Sequence, residues 1–487
     1  MSRKKFNLIV ASALSLMLIS CAHGISTVRT TGELITEQNL NEKIDSLLHD
    51  DFFKSCQIGV DVYDLTSDKY LYRKNQKLLF HPASNQKLLT SLTALKFLPK
   101  DYNFTTSVYY DGLLQDSVIN GNIIFVGGYD SEFSTKDLDS IAAAIKKMGI
   151  SKITGNIYAD VSAMDSLYWG NGWMWDDNPE IYSPYLSPLS INRNGVKFIF
   201  QPGELGYPVR VIICPESKYY NFVNTSKTVN SDSSTFQITR DWMNNKNEFI
   251  AYGNLSVNSP KDSLELNVIS PEKYFLTLAK EIFERNGIKT GEIKDILLLP
   301  MRAIKLVEFK RPLDSLLVYM NKQSDNLSAE LLLRNIGMYA YGKPGTAKKG
   351  IKLIDSLITL ASFNPKDYKI VDGSGLSEYN LISAELIAGL LKHTYKNDFD
   401  NFKRLINSLP ISGKDGTLKN RLKDSLTYQK IRAKTGTLSG VSNLSGYLQT
   451  QSQHLICFSI LVQHFVGSSA EARSYQDKIC KILTQLQ

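Results

Sequence analysis

The sequence lacks the patterns that mark metal, redox and nucleic-acid proteins. It has six histidines and no His-Glu-x-x-His stretch, so we expect no catalytic metal and no cofactor. The formal net charge is +8, but the basic residues are spread along the chain without a cluster, which argues against nucleic acid as a partner. The remaining composition is that of a globular protein, with 43% hydrophobic and 21% charged residues among 487. This length favours two or three domains.

Cysteine is also scarce. Beyond residue 21 the chain has Cys56, Cys214, Cys457 and Cys480, whose spacing matches no zinc or redox motif. Four cysteines allow three full disulfide pairings, and the sequence does not choose between them. Buried, unpaired thiols are the favoured interpretation, because stretches such as Ile212-Ile213-Cys214 are apolar.

Apolar runs long enough to span a membrane are absent as well. The N-terminus has a basic stretch, Arg3 to Lys5, and then a short apolar stretch, Phe6 to Ile19. The four residues that end at Cys21 resemble a bacterial lipobox, so we predict a signal peptide over 1–20 and lipidation of Cys21. Residues 21–36 would then be a tether to the membrane surface in the cell envelope or periplasm. An ordinary secretory signal cut nearby is the alternative.

Two changes of composition divide the rest of the chain. Residues 37–99 and 271–487 are rich in helical patterns and are predicted to form two parts of one catalytic domain. Residues 100–270 are rich in strand-like runs, Asn, Ser, Gly and aromatics, which predicts one or two inserted β-rich domains. The inner of the two would cover about 195–265.

The pattern at the C-terminus predicts how the catalytic domain is built. Three strand-like runs, 429–436, 442–450 and 454–464, precede an amphipathic helix from Ser468 to Leu486. A helical pattern over 40–48 opens the domain. Strands that are flanked by an N-terminal and a C-terminal helix indicate an α+β fold, with an antiparallel sheet and helices on its faces.

Three short motifs occur in one order, Ser84-Asn85-Gln86-Lys87, Ser324-Asp325-Asn326 and Lys434-Thr435-Gly436. Together they resemble the signature of the penicillin-binding proteins and serine β-lactamases. Ser84 begins a helix that is apolar nearly all round and is therefore predicted to be buried. The spacing i, i+3 places Lys87 on the same helix face as Ser84, and Lys434 lies in a strand-like run.

Each motif also occurs elsewhere by chance, and the context separates the copies. Ser2 to Lys5 lies inside the signal, and Ser190-Ile191-Asn192 and Ser256-Val257-Asn258 also fit Ser-x-Asn. Lys289-Thr290-Gly291 follows a helical pattern and precedes the second motif. We therefore select Lys434 over Lys289.

Further stretches narrow the family. Gly172-Trp173-Met174-Trp175-Asp176-Asp177, residues 372–377, residues 413–418 and residues 434–441 resemble the DacB-type D-alanyl-D-alanine carboxypeptidases/endopeptidases, the class C low-molecular-mass penicillin-binding proteins. A long insert between the first two motifs is a mark of that family, and here it spans 88–323. The resemblance implies the penicillin-binding-protein/β-lactamase-like transpeptidase fold.

The resemblance also implies roles for the motif residues. Ser84 would be the nucleophile and Lys87 its base, which requires a pKa lowered by burial and by Lys434. Asn326 would hold Lys87, and Ser324 would pass the proton to the leaving amine. In the third motif, Lys434 would attract the substrate carboxylate, and Thr435, Gly436 and Thr437 would bind substrate. The backbone N–H groups of Ser84 and Thr437 would form the oxyanion hole.

The activity implied is hydrolysis of D-Ala-D-Ala stem peptides of peptidoglycan, with β-lactams as covalent inhibitors. The choice between carboxypeptidase and endopeptidase stays open. A serine β-lactamase is one alternative. It would need a group that activates water to hydrolyse the acyl-enzyme, and no Glu in the sequence is recognisable in that role. A non-hydrolytic sensor or envelope-binding lipoprotein is another. Ser324 and Asn326 could also be an ordinary helix cap, and Trp173 and Trp175 could serve packing alone.

Overall fold

The computed structural model describes residues 35–487. The expected signal peptide, Cys21 and nearly all of the expected tether lie outside this part of the chain. No helix within 35–487 is both long enough and apolar enough to cross a membrane. The helices are α1 (Glu37–Leu48), α2 (Gln86–Phe97), α3 (Thr135–Lys147), α4 (Pro271–Arg285), α5 (Leu313–Gln323), α6 (Asn326–Tyr341), α7 (Ala347–Leu360), α8 (Ala384–Asn397), α9 (Phe399–Ser408) and α10 (Ala470–Thr484).

The strands fall into several sheets. Those before residue 230 are β1 (Gln57–Asp64), β2 (Lys69–Lys74), β3 (Asn103–Gln115), β4 (Val118–Val126), β5 (Lys152–Ile153), β6 (Ile157–Asp160), β7 (Gly195–Gln201), β8 (Arg210–Cys214), β9 (Asn221–Asn224) and β10 (Lys227–Val229). Those after it are β11 (Gln237–Arg240), β12 (Glu248–Tyr252), β13 (Asn254–Ser256), β14 (Asp262–Asn267), β15 (Ile293–Ile296), β16 (Ile304–Pro312), β17 (Ile431–Leu438), β18 (Val441–Gln449) and β19 (Leu455–Gln463).

The first sheet joins the two ends of the chain. Its strand order is β17-β18-β19-β1-β2, and every pairing in it is antiparallel. Side chains alternate between its two faces. Leu444 and Phe458 pack with α1 and α10 on one face, whereas Tyr447 and Leu461 pack with α2 and α6 on the other. This arrangement confirms the predicted α+β class.

Helix α2 is the centre of the catalytic domain. Every residue from Gln86 to Leu95 is buried, as the apolar sequence of this helix predicts. Its leucines share a core with α6 and α8. A buried helix surrounded by other elements fixes the position of its first turn, which is where Ser84 and Lys87 lie.

The insert is built around a second sheet of order β15-β6-β4-β3-β16, to which β5 adds beside β4. Helices α3 and α4 contribute to its core. Because β15, β16 and α4 belong to this sheet or core, we propose that the insert ends near Pro312 and not at residue 270. Smaller sheets, β14-β7-β8, β11-β12-β9 and β10-β13, occupy 195–267.

The cysteines within 35–487 are all unpaired. Cys457 and Cys480 are buried, Cys56 is partly buried and Cys214 is exposed. The exposed Cys214 ends β8, where alternate side chains face solvent. The four thiols are unpaired, as the favoured interpretation expects, but the expected burial holds only for Cys457 and Cys480 and fails at Cys214.

Candidate active site

The first motif forms a tight turn that leads into α2. Ala83 to Asn85 make a single 3-10 turn, and Ala83 has a positive φ of 45°. The Lys87 amine donates a hydrogen bond of 2.9 Å to Ser84 Oγ. The i, i+3 spacing thus brings the two side chains into contact at the start of the buried helix.

The Lys87 amine has two further acceptors. It donates to Asn326 Oδ1 at 2.6 Å and to the backbone carbonyl of Ser374 at 2.8 Å. Burial lowers the pKa of Lys87 to about 8, while the nearby carboxylates, Asp372 first among them, act to raise it. A neutral amine is therefore accessible close to physiological pH.

The second motif lies at the junction of α5 and α6. Ser324 ends α5 with a φ of 60°, and the Asp325 side chain caps α6 by accepting from Ser328 N at 2.8 Å. The helix cap is therefore the middle residue of the motif. The side chains of Ser324 and Asn326 are therefore not used to cap the helix. The Asn326 amide nitrogen donates to the Tyr182 carbonyl of the insert at 2.6 Å.

The third motif lies on the edge strand β17. Lys434 Nζ donates to Ser324 Oγ at 2.8 Å. Burial lowers the pKa of Lys434 well below its usual value, and the positive charge of Lys87 lowers it further. Because the repulsion between the two amines is mutual, it disfavours the state in which both are charged.

Gly436 allows β17 to lie against the turn that carries Ser84. A Cβ at this position would be 2.9 Å from the Pro82 carbonyl oxygen and 3.1 Å from Ser84 N. Thr437 lines the cavity beside Ser84. The Thr435 hydroxyl instead donates to Thr417 Oγ1 at 2.8 Å, which ties the third motif to the stretch 413–418.

The copy of the first motif at Ser2 to Lys5 lies outside the described residues, and the other copies lie in the insert. Lys289 is exposed, and its backbone carbonyl accepts from Ile153 N beside β5. Ser190 donates to the Ser187 carbonyl, and Asn192 accepts from Thr135 N. Ser256 belongs to β13. These residues serve the local structure of the insert.

The motifs meet at a cavity of about 620 Å³. Ser84, Ser324, Asn326 and Thr437 line it from the catalytic domain, and Met174, Asp176, Asp177 and Tyr182 line it from the insert. The two tryptophans of the insert differ in environment, since Trp173 is buried and Trp175 is 69% exposed. No group of three or more His, Cys, Asp or Glu within 35–487 is arranged to hold a metal ion.

Sequence reasoning missed the buried polar cluster behind Lys87. Asp372 accepts from Gly375 N and Ser377 N, each at 2.8 Å, and from Trp173 Nε1 at 3.2 Å. Glu330 is fully buried as well. In the sequence, Glu330 could have been recognised as a carboxylate inside the apolar run of α6, four residues after Asn326. The contact of Lys87 with the Ser374 carbonyl involves backbone and leaves no such signal.

The fold and this arrangement of residues define a serine-type peptidase of the penicillin-binding class. The chain belongs to the D-Ala-D-Ala carboxypeptidase 3 (S13) family, whose model matches residues 40–486. It is 28% identical over 482 residues to the D-alanyl-D-alanine carboxypeptidase of Actinomadura sp. (strain R39), covering 94% of this chain and 87% of that protein. These findings confirm the family resemblance and the enzyme class.

Two further comparisons agree. The D-alanyl-D-alanine carboxypeptidase DacB of Haemophilus influenzae is 24% identical, covering 96% of this chain and 95% of that protein. The crystal structure of penicillin binding protein 4 (dacB) from the same organism has a TM-score of 0.80 at 23% identity, covering 91% of this chain and 99% of that one. The fold is therefore shared along nearly the full length.

Proposed function

We propose that this chain hydrolyses D-Ala-D-Ala stem peptides of peptidoglycan through an acyl-enzyme on Ser84. The observation that carries the proposal is that two groups of hydrogen bonds join the three motifs in pairs. Lys87 touches both Ser84 and Asn326, and Lys434 touches Ser324. These are the groups that an activated serine and a protonated leaving amine require.

The reaction begins with neutral Lys87, which takes the proton of Ser84 as Oγ attacks the carbonyl of the penultimate D-Ala. The tetrahedral oxyanion accepts from the N–H groups of Ser84 and Thr437, where one such donor is typically worth about 3–4 kcal/mol. Ser324, held by Lys434, gives its proton to the leaving nitrogen as the C–N bond breaks and takes in its place the proton that Lys87 accepted, so Lys87 is neutral again. Water then attacks the acyl-enzyme and gives a proton to Lys87. That proton returns to Ser84 Oγ as the ester C–O bond breaks, which releases the peptide acid and regenerates Ser84.

Part of the cavity wall is acidic. Asp176, Asp177 and Glu378 all line it, and burial, together with the charges of the other two carboxylates, raises the pKa of Asp177. Such a wall favours a cation, so the peptide side chain bound here carries an amine.

A D-Ala-D-Ala peptide with a free side-chain amine should then have a higher kcat/KM than its acetylated form. Asp176→Asn should reduce the difference in kcat/KM between the two peptides. Equal values for both peptides in the wild type would exclude an amine-binding wall.

Release of D-Ala tests the activity itself. Wild type should release D-Ala from a stem peptide, and Ser84→Ala should release none. Cleavage of a cross-linked dimer, measured beside it, separates endopeptidase from carboxypeptidase action. A structure similar in fold, Bd3459 of Bdellovibrio bacteriovorus, is described as a peptidoglycan endopeptidase, with a TM-score of 0.52 at 16% identity, covering 88% of this chain and 93% of that one. A wild type that is acylated by penicillin but cleaves neither substrate would instead be a sensor.

The enzyme acts in the cell envelope, and lipidation of Cys21 would hold it at a membrane. The lipobox-like residues before Cys21 support this part of the proposal. Labelled palmitate should enter the wild-type protein and not Cys21→Ala. Label in both proteins, or in neither, would favour an ordinary secretory signal.

A further inference from the structure

Glu330 is a buried carboxylate inside an otherwise apolar part of α6. It lies one turn after Asn326 and is fully buried. Its Oε1 accepts from Gly373 N and from Ser374 N, both at 2.9 Å. Its Oε2 accepts from Arg334 Nη1 at 2.8 Å. A carboxylate is costly to bury. The hydrogen bonds that offset this cost for Glu330 come from one loop, through Gly373 and Ser374, and from one cation, Arg334.

The loop that Glu330 holds is the one that carries the Ser374 carbonyl to Lys87. A Cβ on Gly373 would be 2.6 Å from the Ala329 carbonyl oxygen, and a Cβ on Gly375 would be 1.8 Å from that of Ala83. The loop is therefore pressed between α6 and the turn of the nucleophile. With both amides tied to Glu330, the Ser374 carbonyl is left to face Lys87 Nζ at 2.8 Å.

The hydrogen bonds of Lys87 explain why this carbonyl matters. A neutral amine has two hydrogens and one lone pair. The Tyr182 carbonyl accepts from the Asn326 amide nitrogen, so the Asn326 oxygen must face Lys87. Asn326 and Ser374 thus present only acceptors and take both hydrogens. The lone pair is left to face Ser84 Oγ, 2.9 Å away, so the neutral amine accepts from the Ser84 hydroxyl, to which the charged form donates.

We infer that Glu330 is a positioning residue for the general base: it fixes the Ser374 carbonyl so that neutral Lys87 directs its lone pair at Ser84. Arg334 serves the same arrangement by balancing the charge of Glu330. The inference rests on the proposed role of Lys87 as base.

Charge gives this role a measurable signature. The negative charge of Glu330 acts to raise the pKa of Lys87, as do Asp372 and Asp325. The other charged groups that face the cluster are Lys434 from β17, Arg334 on α6 and Asp165, whose Oδ1 lies 4.0 Å from Arg334 Nε. Removing one charge of the Glu330–Arg334 pair should therefore displace the pH at which Lys87 loses its proton.

The test measures acylation by benzylpenicillin against pH for wild type, Glu330→Gln and Arg334→Gln. Glu330→Gln should reduce the maximal rate about tenfold or more, because a misplacement of about 1 Å can cost about 100-fold. Its acid limb should move to lower pH, since a negative charge near Lys87 is gone. Arg334→Gln removes the balancing cation, so its acid limb should move to higher pH.

Glu272→Gln is the matched control, because Glu272 is a partly buried carboxylate of the insert whose pKa, like that of Glu330, is raised by burial. It should leave rate and limb unchanged. Two outcomes would overturn the inference. In the first, the acid limbs of the pH profiles of Glu330→Gln and Arg334→Gln both coincide with that of wild type, whatever the maximal rate of acylation. In the second, the two acid limbs move in the same direction. Ser84→Ala separates this claim from the proposed function. An adduct-free Ser84→Ala beside unmoved limbs rejects the positioning role alone, whereas an adduct on Ser84→Ala rejects both.

Discussion

The guanidinium of Arg193 donates a hydrogen bond of 2.8 Å to the carboxylate of Asp325, and so joins the insert to the second catalytic motif. The Arg193 side chain also pairs with Glu265 at 2.7 Å. Asp325 is buried, caps α6 and separates Ser324 from Asn326. The long insert therefore has a structural role at the active site besides lining its cavity.

Arg193→Ala should destabilise the protein and slow acylation. Removing one partner of a buried ion pair typically costs about 3–5 kcal/mol, because the remaining charge stays buried without compensation. Thermal unfolding and the rate of penicillin acylation measure the two effects. Arg302→Ala is the control, because Arg302 pairs with Asp111 at the surface and is largely exposed, so little change is expected. Equal losses in both variants would contradict the role given to Arg193.

The choice between the two Lys-Thr-Gly stretches gives a second prediction. Lys434→Ala should slow acylation about 100-fold or more, since proton transfer by a positioned group is typically worth that much and Lys434 holds Ser324. Lys289→Ala should leave the rate unchanged, because Lys289 is exposed in the insert. The acylation rates of the two variants decide between the two lysines. A rate that is slowed by Lys289→Ala and unchanged by Lys434→Ala would identify Lys289 as the active lysine.

The pH dependence of acylation follows from the state of Lys87. Burial lowers the pKa of Lys87 to about 8, and the base must be neutral to accept the proton of Ser84. The rate constant should therefore rise as pH increases toward about 8 and level off above it, and it should fall below that pH as Lys87 gains a proton. A fluorescent penicillin measures this profile. A rate that is flat between about pH 6 and 9 would exclude titration of Lys87 as the controlling step.

Much of the catalytic domain could be predicted from the sequence because its signals are local. The apolar α2 and the alternation along β17, β18 and β19 each follow from residues close together in the chain. The order of the three motifs added the information that distant segments meet. The structure joins Ser84, Lys87 and Asn326 in one group of hydrogen bonds and Lys434 and Ser324 in a second, and their catalytic roles remain predictions.

The parts that could not be predicted depend on contacts between distant residues. Strand β16 pairs with β3 across nearly two hundred residues of chain, so composition alone placed the end of the insert at 270. The Ser374 carbonyl reaches Lys87 through its backbone, which any residue provides. Glu330 was visible as a charge in an apolar helix, but its partners lie in a loop more than forty residues away.

The central claim is that Ser84 is the acylated nucleophile of a penicillin-sensitive peptidase. The most direct test is intact mass after incubation with benzylpenicillin, for wild type and for Ser84→Ala. We predict a long-lived adduct of one penicillin on wild type and none on Ser84→Ala. An adduct on Ser84→Ala would contradict the assignment of the nucleophile, and rapid hydrolysis of penicillin by wild type would point to a β-lactamase.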